Sequence, residues 1–107
     1  MGFMVMQVAV DPQEIARFCL RRKVSRLELF GSALRDDFGP DSDIDLLVSF
    51  VPGVRHGLFD WVGMKEELAE IFGRKVDLVS RRGIAHSQNR FRREAILGSA
   101  RPLYVAG

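Results

Sequence analysis

One cysteine among 107 residues leaves no partner for an internal disulfide and no thiolate set for a zinc site. Cys19 falls in a helical pattern beside Phe18, where a plain buried thiol is expected. Histidine is almost as scarce. His56 and His86 stand apart from each other and from every acidic motif, so both are expected to be ordinary loop residues. Long apolar runs are missing too. Residues 1–10 are apolar, yet they are too short to span a bilayer and carry no cleavage site like that of a signal peptide. A cytoplasmic protein without a membrane partner is therefore expected. Internal repeats, low-complexity tracts and linkers are also lacking, and the length has room for one hydrophobic core. We therefore expect a single domain over residues 1–107. A content of 47% hydrophobic and 28% charged residues suits a soluble globular chain.

Net charge is only +2, but it is unevenly spread. Residues 1–80 hold ten basic and thirteen acidic side chains. Residues 81–107 hold six arginines (Arg81, Arg82, Arg90, Arg92, Arg93 and Arg101) against Glu94 alone. Such asymmetry fits an anionic partner, whether a nucleotide, an acidic protein face or nucleic acid, and fits a solvated arginine-rich helix equally well.

The order of elements predicts the class. Asp11-Pro12-Gln13-Glu14 is a helix start, with Asp11 as cap, Pro12 in the first position and Glu14 three residues after the cap. That helix runs to about Arg22 and buries Ile15, Phe18 and Cys19. Residues 26–30 alternate as a strand that ends at Gly31-Ser32, and residues 33–37 suit a short helix starting at Ser32. Turn chemistry follows over residues 39–42. Residues 43–50 form a second strand, with Ile44, Leu46, Val48 and Phe50 on one face and the acids on the other. A helical period links Leu58, Trp61, Met64, Leu68, Ile71 and Phe72, and Gly73 stops it. Residues 75–79 make a third strand with Val76 and Leu78 inward. A loop, a helix near 88–97 and a short strand at 103–105 complete the chain, with Phe91 and Tyr104 expected in the core. This is an α/β (α+β) pattern: a small mixed sheet flanked by helices.

The chemistry lies between the first two strands. Gly31-Ser32, ten intervening residues and then Asp43-Ile44-Asp45 place a glycine-serine turn after one apolar run and two acids on alternate positions of the next. Residues two apart on a strand point the same way, so Asp43 and Asp45 project side by side and repel unless a cation intervenes. Asp77 joins them if the third strand lies beside the second. Carboxylate oxygens on rigid strands suit Mg²⁺, and with no His or Cys in the motif they suit zinc poorly. Glycine lets backbone approach an anion closely, and amides at the start of a short helix, with the Ser32 hydroxyl, donate to phosphate oxygens. Each feature alone is weak. Together they describe one phosphoryl-transfer site.

These residues resemble the nucleotidyltransferase superfamily of the DNA polymerase β type, through its Gly-Ser, Asp-x-Asp and third-acid signature at Gly31-Ser32, Asp43-Ile44-Asp45 and Asp77. The fuller string GSALRDDFGPDSDIDLLV, followed by a helix and KVDLV, is similar to the minimal nucleotidyltransferases over residues 12–105. The resemblance implies a polymerase β-like catalytic core, ATP as substrate and two Mg²⁺ ions on Asp43 and Asp45. Asp77 would complete one metal site and orient or deprotonate an acceptor hydroxyl, while Gly31 and Ser32 hold the β- and γ-phosphates. Arg35 would offset charge there or pair with Asp36, Asp37 or Asp41, and Ser42 would organise the turn into the strand. The resemblance also implies a helical HEPN-type RNase toxin as partner. This chain would be the antitoxin, moving AMP to a tyrosine of that toxin. The other readings are a binding-only antitoxin, which the full acid set disfavours, and a small-molecule nucleotidyltransferase, for which the chain has no added acceptor-gripping domain. A nucleic-acid polymerase is disfavoured because the aromatic–basic interleaving of a strand-binding surface is thin.

Overall fold

The computed structural model describes residues 3–5, 8–31 and 43–106. Its elements are β1 (Phe3–Val5), β2 (Val8–Val10), α1 (Pro12–Arg22), β3 (Val24–Phe30), β4 (Ile44–Phe50), α2 (Leu58–Phe72), β5 (Val76–Ser80), α3 (Arg81–Ala85), α4 (Arg90–Ser99) and β6 (Arg101–Val105). β1 and β2 form a small antiparallel pair. The main sheet is mixed, in the order β5-β4-β3-β6, with β4 and β5 parallel and the other neighbours antiparallel.

Local chemistry sets the ends of the helices. The Asp11 carboxylate accepts from the Gln13 N–H at 2.9 Å and Pro12 opens α1. Lys23 closes α1 in the left-handed region at φ 59°. The Asp60 carboxylate accepts from the Gly57 N–H at 3.1 Å at the start of α2, and Gly73, at φ 70°, ends it with an N–H bond to the Ala69 carbonyl.

Strand alternation sorts the sheet into two faces. On one, Leu27 and Leu29 of β3, Ile44, Leu46 and Val48 of β4, and Val76 and Leu78 of β5 pack under Ile15, Phe18 and Cys19 of α1 and Met64, Leu68 and Phe72 of α2. On the other, Phe30 and Leu47 pack under Ile84 of α3 and Ile96 of α4. The result is three layers, with the sheet between two pairs of helices.

Three expectations change. The loop expected after the third strand holds α3, capped by Ser80, whose hydroxyl accepts from the Gly83 N–H at 3.2 Å. Leu58, counted in the apolar period of α2, is 76% exposed, because the fully buried stripe starts nearly two turns later at Met64. Phe91, expected in the core, is 85% exposed, since α4 turns Ile96 inward; Tyr104 does pack, partly buried, against the larger core. Among the described residues no helix is long and apolar enough to cross a membrane.

Cys19 is fully buried as expected, and burial pushes its thiol up from the ordinary 9.0 to about 12. The native protein is expected to resist iodoacetamide at about pH 8 and to be alkylated once in urea, as read by intact mass. Above pH 9 the unfolded chain releases this proton while the folded chain keeps it. Stability is therefore expected to fall as pH rises between 9.0 and about 12.

Candidate active site

The acids lie on the α3–α4 face of the sheet, at the starts of β4 and β5. Parallel pairing sets Asp45 of β4 directly beside Asp77 of β5, with Ile44 beside Val76 and Leu46 beside Leu78. Neighbouring strands are spaced about 4.8 Å apart, so the two carboxylates rise from adjacent positions on one surface. Asp45 is partly buried and Asp77 exposed. Asp43 is exposed and sits one residue before β4, separated from Asp45 by the fully buried Ile44. The Ile44 N–H bonds the Lys75 carbonyl at 2.9 Å, which fixes the start of β4 against the start of β5. The condition that the sequence left open, a third strand lying beside the second, is therefore met, and Asp77 sits opposite Asp45.

Across the other edge of β4, Phe30 pairs with Asp45, and Gly31 follows at φ 71°. A Cβ on Gly31 would run into the Asp45 carboxylate, with Asp45 Cγ at 3.1 Å and Asp45 Cβ at 3.3 Å. The end of β3 is thus bare backbone because the acid of β4 fills the space beside it. Ser32, Arg35 and Ser42 lie outside the described residues, as do Asp36, Asp37, Asp41 and the short helix expected at 33–37.

Among the described residues no group of three His, Cys, Asp or Glu side chains is gathered as a metal cluster. The acids are aligned by register, and the donor set is carboxylate oxygen alone. A hard divalent cation that takes one or two carboxylates and completes its shell with water and phosphate fits that set.

The sequence reading missed one residue of this face. Glu28 of β3 is only 2% exposed, one register row behind Phe30 and Asp45. Arg81 donates to it at 2.5 Å, and Arg26 Nε lies 3.2 Å from the same oxygen. The acid in the otherwise apolar run Leu27-Glu28-Leu29-Phe30 was the available signal, since a buried carboxylate needs a cation.

The arginine-rich segment divides accordingly. Arg81 turns inward to Glu28, Arg90 pairs with Glu94 at 3.0 Å, and Arg93 donates to the Ser87 carbonyl at 2.8 Å. Arg82, Arg92 and Arg101 are exposed. His56 is a loop residue, with Nε2 3.1 Å from the Arg22 carbonyl and its ring 4.5 Å from that of Phe50; His86 caps α3.

A mixed four-stranded sheet with helices on both faces, a glycine closing one strand and acids aligned across the next two define a nucleotidyl-transfer core. Residues 13–101 match the model of the nucleotidyltransferase domain, and the chain belongs to that family of enzymes. It is 38% identical over 68 residues to a Methanocaldococcus jannaschii protein provisionally named a protein adenylyltransferase, a span of 64% of this chain and 71% of that one. A solved structure described provisionally as a minimal nucleotidyltransferase shares 36% identity, with a TM-score of 0.64 over 85% of this chain and 87% of that one. Two toxin–antitoxin complexes, each 20% identical, share the fold. One, with AMP-PNP, gives a TM-score of 0.67 over 91% of this chain and 75% of its own. The other, a tri-AMPylated HEPN toxin of Shewanella oneidensis with its MNT antitoxin, gives 0.58 over 89% and 70%.

Proposed function

We propose that this chain, acting as one minimal domain over residues 1–107, is a cytoplasmic Mg²⁺-dependent adenylyltransferase. In this reading it moves AMP from ATP to a tyrosine hydroxyl of a HEPN-type toxin and thereby serves as that toxin's antitoxin. The observation that carries the reading is the pairing of Asp45 with Asp77 beside the bare backbone of Gly31. The protein-adenylyltransferase name of the archaeal relative and the tri-AMPylated toxin of the structural neighbour support the choice of acceptor. The AMP-PNP complex supports ATP as donor.

Each residue then has a defined role. Asp43 and Asp45 would hold Mg²⁺, with Asp77 completing the set. The metal supplies Lewis-acid charge neutralisation at the phosphates when bound. Gly31 admits the triphosphate close to the end of β3, and Ser32 would donate to its β- and γ-oxygens, with Arg35 offsetting charge. Asp77, on the exposed edge strand, orients the acceptor hydroxyl and takes its proton. The hydroxyl oxygen forms a bond to the α-phosphorus as the bond to the bridging oxygen breaks, and pyrophosphate leaves with that electron pair.

The test is to combine the purified chain with a HEPN-type toxin and α-labelled ATP. The expected result is labelled partner carrying mass increments of AMP on tyrosine, with no labelling in EDTA. Neutralisation of the partner without any label would instead identify a binding-only antitoxin.

A further inference from the structure

Among the described residues β5 is an edge strand, paired in the sheet with β4. It nevertheless carries Asp77, whose position opposite Asp45 is what makes an acid pair. An edge strand with one neighbour is the part of a sheet most easily shifted or frayed. The device that counters this lies one row behind the acids. Glu28 of β3, Leu47 of β4 and Val79 of β5 occupy one register row, two positions from that of Phe30, Asp45 and Asp77 and so the next row on the same face. Arg81 leaves the end of β5 immediately after Ser80 and reaches back over β4 to bond Glu28 on β3 at 2.5 Å. The carboxylate is 3% exposed in its side chain and the guanidinium 35%, so removing the guanidinium would leave a buried charge short of a partner, which costs more than losing a surface bridge. Arg26 shares the same carboxylate oxygen.

We propose that Glu28 and Arg81 are positioning residues for the acid site, a clamp that ties the edge strand to the second strand inward and holds Asp77 beside Asp45. Glu28 touches neither substrate nor metal in this role; it acts through Arg81 and the backbone of β5. Removing the guanidinium takes away the hydrogen bond to a buried carboxylate and leaves Arg26 beside it as an ion pair by distance, its Nε without a hydrogen bond. Neutralising the carboxylate leaves Arg26 and Arg81 around an uncharged amide. Either change loosens the same strand. The functional consequence rests on the reading of Asp77 as part of the metal site, whereas the mechanical claim does not.

Two measurements separate these claims. Amide hydrogen exchange is compared for wild type, Arg81→Met and the isosteric Glu28→Gln. Exchange over Val76–Ser80 is expected to rise at least tenfold in both variants, with α1 within twofold of wild type, and Arg81→Lys is expected to recover most of the protection. Unchanged exchange in β5, or an equal rise through α1, overturns the clamp. Mn²⁺ affinity is then measured calorimetrically in the presence of α,β-methylene ATP. Arg81→Met is expected to weaken it about tenfold, and to weaken it no further in an Asp77→Asn background. Losses that multiply in the double variant overturn the action through Asp77. If Asp77→Asn alone leaves Mn²⁺ affinity unchanged, the reading of Asp77 as a ligand falls, and hydrogen exchange still decides the clamp.

Discussion

Asp45→Asn is expected to lower AMP transfer by about 10³-fold, or ~4 kcal/mol of transition-state stabilisation, the scale of losing a metal contact to the reacting phosphate. Asp45 holds the central position: its register partners are Asp77 on one side and Phe30 on the other, and its carboxylate fills the space beside Gly31. Asn keeps its shape and removes the charge. The fold should not suffer. Like charges side by side on neighbouring strands destabilise a sheet by up to about 1 kcal/mol, less where solvent screens them, so without divalent cation the variant should melt at or slightly above the wild-type temperature. Transfer of label from α-labelled ATP and a thermal melt check the two halves. Ser49→Ala, on the same face of β4 at its far end, should transfer within twofold of wild type. A rate for Asp45→Asn within tenfold of wild type would remove Asp45 from the site.

The two faces of this sheet were readable because a strand has a period of two. Ile44, Leu46 and Val48 against Asp43 and Asp45, and Val76 and Leu78 against Asp77, could face only one way each around a single core. Helix α1 was readable at its start because Asp11-Pro12 is local chemistry. The features that escaped depend on partners far along the chain. Glu28 and Arg81 are separated by 53 residues, and nothing near either names the other. Arg81 was counted within a basic segment offered to an anionic partner, while the fold spends it on an internal acid. Phe91 looked like core because it is aromatic. In α4, however, Ile96 and partly Leu97 pack inward against the acid-bearing face, and Phe91 lies on the other side of the helix. The short α3 was hidden because five residues give no apolar period, and only its Ser80 cap marks it.

Gly31→Ala is expected to cost about 1–3 kcal/mol of stability and most of the transfer activity, for two separable reasons. The first is intrinsic. At φ 71° the backbone sits where an L-residue is strained whatever surrounds it, and a glycine there carries no such cost. The second is particular to this site. The new methyl would occupy the volume of the Asp45 carboxylate, 3.1 Å from its Cγ, so that either Asp45 turns away from Asp77 or the end of β3 moves off β4. Both responses break the alignment of the acids. A D-alanine at position 31, introduced by semisynthesis, distinguishes the reasons, because it accepts positive φ and directs its methyl elsewhere. It is expected to restore stability to within about 0.5 kcal/mol of wild type, since the αL strain is gone. Transfer should recover with it if displacement of Asp45 is what the L-methyl does. Restored stability without restored transfer would instead mean that Gly31 serves by leaving the backbone open to phosphate, where a methyl of either hand is in the way. The paired measurements of melting temperature and label transfer therefore separate a glycine kept for its conformation from one kept for what approaches it.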